Sequence, residues 1–167
     1  MTIATPTLHE LVPRSDSTRL SELADDLAAL WPTSPQDVDG WMSRPSILRR
    51  VAGELAARLA ADTDRVVALG PGALVLGGAV SLSTGLPFCA VDDEGTVFGD
   101  HHAGETAGVI SVDGNAEEPG WLSTLDVSRR LSVVHGGGSR IGGEVLISRL
   151  PLRRDTAASE PEGNDHD

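Results

Sequence analysis

The sequence predicts an α/β protein: a mostly parallel sheet flanked by helices, with further helices at the N-terminal end. Three observations point there. Short apolar runs closed by Gly or Pro alternate with helix-period segments, the pattern of strands joined by crossovers. Aromatics make up 3% of the chain and Tyr is absent, so Leu, Val, Ile and Ala must fill the interior, which suits parallel strands buried on both faces. With 167 residues, 40% of them hydrophobic, the chain can bury one sizeable core but is short for two domains.

The elements follow in order. Residues 1–16 are rich in Thr, Pro and Ser without periodicity and are expected to be a flexible end, before one α/β domain over 17–151. From Ser17 to Leu30, leucines at 20, 23, 27 and 30 recur at helical spacing, and Pro32 stops the pattern. A Pro- and Asp-rich turn follows. In SRPSILRRVAGELAARLAAD, Ile47, Val51, Leu55 and Leu59 share one helix face, with Ser43 a candidate N-cap and Pro45 suited to the first turn. Asp64 to Gly70 reads as a buried strand, Ala73 to Ser83 as a helix broken by Gly85-Leu86-Pro87, and Phe88 to Val91 as a second strand. An acidic loop from Asp92 to Gly108 leads to a third strand, Val109 to Val112. Pro119 to about Arg130 reads as a helix, His135 to Gly143 as a glycine-rich loop and Glu144 to Arg149 as a fourth strand. The acidic tail 152–167 lacks an apolar pattern and is expected to be disordered.

Charge narrows the function. The net charge is −12 and the chain contains no Lys. Nucleic acids and anionic membranes are bound mainly through cations, so neither is an expected partner. No apolar run reaches membrane-spanning length, Cys89 has no second cysteine to pair with, and the first residues lack a signal-peptide core, so a cytoplasmic location is expected. The pair His101-His102 reads as part of a solvated loop, because adjacent side chains diverge and zinc needs converging ligands. Buried in a strand, Cys89 reads as a small hydrophobe. No catalytic and no metal-binding residue is assigned.

Ligands of such sheets sit at the carboxyl ends of the strands. The candidate ligand residues are therefore Gly70, Pro71 and Gly72 after the first strand, and Asp113, Gly114 and Asn115 after the third. A helix start after each turn would offer free N–H groups to an anion; close packing is the alternative reading of the glycines. Arg140, inside the glycine-rich HGGGSRIGGE (135–144), is the nearest plausible cation in sequence for an acidic ligand, although that loop lacks the Lys of a phosphate-binding loop.

Over residues 38–150 the order of parts resembles the type I phosphoribosyltransferases, with the orotate branch closest. The resemblance rests on VVALGPGALVLGGAVSLSTGLPFCAV (66–91), GVISVDGNAEEPGW (108–121) and VLISRLP (145–151). In that family the third strand ends on two adjacent acids that hold the ribose hydroxyls of phosphoribosyl pyrophosphate, and a loop of small and hydroxylated residues holds its 5'-phosphate. Asp113 matches the first acid. Gly114 stands in place of the second, and Ala116-Glu117-Glu118-Pro119-Gly120 in place of the phosphate loop. The family's Lys-bearing segment before that strand is here VDDEGTVFGDHHAGETAG (91–108).

Between Arg65 and Arg129 the sequence holds nine acids and no cation. Two like charges about 4 Å apart repel by roughly 4 kcal/mol at an effective dielectric near 20, whereas a helix start offers an anion only about 0.3–1 kcal/mol. The resemblance thus implies a phosphoribosyltransferase-like protein with lost or weakened transfer, acting as a nucleotide- or phosphosugar-binding or regulatory module without a cofactor. The alternative it implies is an active enzyme of orotate or purine type. That enzyme would use magnesium and phosphoribosyl pyrophosphate and take cations such as Arg14, Arg44, Arg49 or Arg50 from a homodimer partner.

Overall fold

The computed structural model describes residues 16–31, 39–135 and 142–148. Four helices come from the first half: α1 (Asp16–Leu30), α2 (Asp39–Met42), α3 (Pro45–Ala56) and α4 (Ala73–Thr84). The strands are β1 (Arg65–Leu69), β2 (Phe88–Val91), β3 (Val97–Phe98), β4 (Thr106–Ser111), β5 (Asp126–Val134) and β6 (Glu144–Ile147). They form one sheet in the order β3-β2-β1-β4-β5-β6, parallel except for β3, which pairs antiparallel with β2.

Alternation along β1 divides the core. Val66 and Ala68 face α3 and α4, joining Val51, Leu55, Leu76 and Val80 in the larger apolar cluster, which also takes in Leu23, Leu27 and Trp41. Val67 and Leu69 face the other way, with Cys89, Val91 and Val109. All five β1 residues are buried, as expected for a central parallel strand with both faces covered.

Right-handed crossovers explain why the covers differ. From β1 to β2 the chain moves toward one edge of the sheet, which carries α4 over the first face. From β4 to β5 it moves the opposite way and must cross the second face. That crossover is an extended stretch with one 3₁₀ turn, Gly120–Thr124, and its Ala116, Leu122 and Leu125 are the residues that seal the second face.

Here the structure corrects the sequence reading. The helix expected over Pro119 to Arg130 is that short 3₁₀ turn followed by β5. The backbone of 126–134 finds a parallel ladder on β4, from Thr106 opposite Asp126 to Ser111 opposite Ser132 with one register shift between Ala107 and Gly108, and its Leu-Ser-Val-Val end is fully buried. Tertiary pairing outweighs the helical spacing of Leu122, Leu125 and Arg129. The loop expected over 92–108 contains β3, and β4 starts at Thr106 rather than Val109, because Ala107 and Gly108 pair with Arg65 and Val66 of β1. A Cβ on Gly108 would sit 2.4 Å from Leu59 Cδ2, so glycine at this strand position permits close approach of the residues after α3. Ser43 is not the N-cap of α3. That place belongs to Arg44, with no side-chain cap, while Ser43 Oγ donates to the Gly40 carbonyl and Pro45 opens the helix as expected. The expected flexible N-terminus, the acidic tail and most of the glycine-rich loop lie outside the described residues.

Candidate functional site

β1 and β4 are neighbours, and the connections leaving their carboxyl ends run to opposite faces. This is the switch point at which open α/β sheets form a crevice. Gly70 has φ +84° and Gly72 φ +71°, and the Gly70 N–H donates to the Val91 carbonyl at 2.8 Å, tying the β1 turn to the end of β2. A Cβ on Gly70 would come within 2.9 Å of the Ala116 Cβ, so the β4 turn presses directly on the β1 turn.

At the end of β4, Asp113 is half-buried and both its carboxylate oxygens are engaged locally. Oδ1 accepts the Asn115 backbone N–H at 3.0 Å and Oδ2 accepts the Asn115 side-chain amide at 3.1 Å. Gly114 has φ +73°, and its N–H donates to Ser111 Oγ at 3.1 Å. Gly114 thus holds a left-handed position in this turn, where an L-residue such as Asp is strained. Gly114→Asp is expected to lower stability by about 1–3 kcal/mol. Urea unfolding would read this, and a variant as stable as the parent would show that the turn relaxes freely.

The two turns and the 92–97 loop enclose a crevice of about 770 Å³. Of the candidates, Gly70, Pro71, Asp113 and Asn115 line it together, Gly114 is buried within the turn, Gly72 caps α4, and Arg140 lies outside the described residues. Residues that the sequence reading did not select add the rest of the wall: Asp92, Asp93 and Glu94 after β2, Glu117 and Glu118 in the crossover, Val97 and Trp121. Their signal was available in part, since β2 is parallel to β1 and its carboxyl end reaches the same edge.

Six carboxylates line this crevice, and no Arg or His stands among its described lining residues. One of the six, Glu118, is neutralised, by Arg130 at 2.8 Å. Asp92 is spent partly on its own turn, accepting the Thr96 N–H at 2.7 Å and the Glu94 N–H at 3.0 Å. Trp121 stacks on His101 with ring centroids 3.8 Å apart, which fastens the crossover to the loop after β3. That loop is held from below by Arg65, whose Nε and Nη2 donate to Glu105 at 2.7 and 3.0 Å. The hydrogen bond from Arg65 holds the Glu105 carboxyl down at about 2. Burial pushes the Cys89 thiol up, in keeping with a packed rather than a reactive cysteine.

Among the described residues no three His, Cys, Asp or Glu side chains converge to hold a metal ion, and no helix is long and apolar enough to cross a membrane. A second cavity of about 580 Å³ between α1 and α3 is lined by helix residues alone; there Arg19 pairs with Glu54 at 3.3 Å and Arg50 with Asp26.

No protein-family model matches this sequence, and no curated protein matches it. Solved structures do. Adenine phosphoribosyltransferase from Rhodothermus marinus is 12% identical with a TM-score of 0.58, over 79% of this chain and 99% of that one. The Saccharomyces cerevisiae adenine phosphoribosyltransferase is 13% identical with a TM-score of 0.57, over 76% and 98%. This chain also spans 30% of the length of Leishmania donovani UMP synthase, at 20% identity over 68% of its own residues and a TM-score of 0.47. At these identities the likeness shows the fold, and the fold is that of the type I phosphoribosyltransferases.

Proposed function

We propose that this chain is a phosphoribosyltransferase-fold protein in which phosphoribosyl transfer is lost or greatly weakened, and whose crevice serves as a nucleotide- or phosphosugar-binding or regulatory module. The observation that carries this reading is the state of the β4 turn: one acid, engaged on both oxygens by Asn115, followed by a left-handed glycine and no α-helix. Transfer needs preorganised positive charge on the departing pyrophosphate. The described lining supplies carboxylates instead.

Carboxylates and phosphates coexist when a hard cation sits between them. Magnesium is held by one or two carboxylates together with substrate phosphates, rather than by an all-protein cage. The crevice fits that use: its acids do not converge into a cage, yet Asp93, Glu94 and Glu117 have no ion-pair partner among the described residues. A phosphorylated ligand is thus expected to enter as its magnesium complex.

Titration calorimetry with phosphoribosyl pyrophosphate, with and without magnesium, tests the reading when joined to a pyrophosphate-release assay with orotate and adenine. Binding that requires magnesium, with no release above the uncatalysed rate, is the expected result. Turnover would overturn the loss of transfer, and no binding at millimolar ligand would overturn the ligand class. One observation favours the active alternative: Arg44 and Arg49 are exposed without an ion-pair partner among the described residues, so a partner subunit would have free guanidinium groups to lend. Turnover that disappears in Arg44→Ala or Arg49→Ala would establish that alternative.

A further inference from the structure

Gly53 has no packing or conformational reason to be glycine. It lies inside α3, where glycine is destabilising relative to alanine; it is exposed, it lacks a positive φ, and a Cβ there would meet nothing within 4 Å. Gly77 in α4 is the contrast, since a Cβ on it would come within 2.7 Å of the Phe88 ring. What the missing side chain at 53 provides is room. Gly53 lines the cavity of about 580 Å³ between α1 and α3, together with Arg19, Arg49 and Arg50. Arg49 stands one turn before Gly53 on the same helix face, and helix side chains lean toward the N-terminus, so a side chain at 53 would occupy the space beside Arg49.

From this we infer that the cavity between α1 and α3 is a second binding site, for a small phosphorylated ligand that its arginines hold over the bare backbone of Gly53. Charge selects the ligand. In a chain of net charge −12 without Lys, three guanidinium groups from two helices meet at one cavity, whereas the sheet-edge crevice has no Arg among its described lining. Two of them are held in place: Arg19 by Glu54 at 3.3 Å, and Arg50 by Asp26 and, at 3.5 Å, by the Arg19 carbonyl. The third, Arg49, has no ion-pair partner among the described residues. Guanidinium forks match phosphate oxygens in pairs. The Arg50 and Asp26 side chains are 38% and 48% exposed, and such surface pairs are weak, so a phosphate can take the place of Asp26 on Arg50 at small cost. Glu22 and Glu54 in the same wall disfavour an extended run of acids and leave room for one compact anion, whose hydroxyl groups they can accept. The volume lies within the roughly 300–1,000 Å³ of small-molecule sites. This cavity shares no lining residue with the crevice, and it needs no magnesium because its own wall supplies the positive charge.

Titration calorimetry of the full chain with inorganic pyrophosphate, in the presence of a chelator, tests this. The expected result is magnesium-independent binding that fades as salt is raised, weakens about tenfold or more in Arg49→Gln and tightens in Asp26→Asn, which releases Arg50. Gly53→Ala separates a ligand role from a structural one. Its thermal midpoint is expected to rise, because alanine favours the helix, while its affinity falls, because the methyl group takes the ligand's space. Binding that appears only with magnesium belongs to the crevice, and would overturn this inference while leaving the reading of the crevice intact. No binding at millimolar pyrophosphate, an affinity unchanged in Arg49→Gln, or a Gly53→Ala chain that binds as tightly as the parent would each overturn it as well.

Discussion

Glu105→Ala is expected to destabilise the fold by about 3 kcal/mol at neutral pH, the lower end of the range for breaking a buried ion pair from one side. The cause is what it leaves behind. The Arg65 side chain is 6% exposed, and Glu105 is its bidentate partner; the remaining acid within reach, Asp100, stands 3.5 Å away and is itself 79% exposed, so it compensates little. The loss spreads upward. Glu105 also accepts the His102 N–H at 3.0 Å, and its carbonyl accepts the Asp126 N–H at the start of β5, so the loop that carries His101 against Trp121 loosens with it.

The pH dependence separates this account from a simple packing loss. Glu105 is depressed from an ordinary 4.5 to about 2 in the folded chain. A depressed carboxyl contributes stability that is fully present above 4.5 and lost as pH falls from 4.5 toward 2. The difference between parent and Glu105→Ala in urea unfolding should therefore be constant above about pH 5 and shrink below 4.5. A difference that stays the same down to pH 2.5 would show that the ion pair is not its source.

How much of this was legible in the sequence depended on whether a residue's environment came from its neighbours in the chain. Arg65–Leu69, Ala73–Thr84 and Phe88–Val91 are apolar runs bounded by Gly or Pro, and they fold where such runs should. β5 was not legible. Leu122, Leu125 and Arg129 share a helical spacing, and only the ladder offered by β4, invisible in the chain, turns 126–134 into a strand. β3 is two exposed residues with no pattern to read. The candidate site divides in the same way. Asp113 stands at the end of a strand, so its position followed from the rule for parallel sheets, whereas its engagement by Asn115 required the geometry of the turn. Asp92, Asp93 and Glu94 reach the same crevice because β2 lies beside β1, a matter of strand order that local pattern does not contain.

Reversing charge in the crevice should change ligand binding more than any other single substitution. Glu117 is exposed, lines the crevice and has no ion-pair partner among the described residues, so Glu117→Arg can be made without breaking a structural contact there. At about 8 Å from a phosphate, one unit charge contributes roughly 0.5 kcal/mol in a water-like dielectric and roughly 2 kcal/mol at an effective value near 20. Changing −1 to +1 doubles that, so affinity for magnesium-free phosphoribosyl pyrophosphate should rise by at least about fivefold. Two signatures belong to this mechanism. The gain should fade as salt is raised, because screening acts on an exposed charge, and the requirement for magnesium should weaken, because the arginine takes over part of the neutralisation. Glu118→Arg is the informative contrast. It removes the carboxylate that pairs with Arg130, adds a second cation beside that guanidinium and should lower stability as it attracts ligand. If Glu117→Arg leaves both affinity and magnesium dependence where they were, the phosphate does not lie in this crevice, and the acids at its rim serve another end of the molecule.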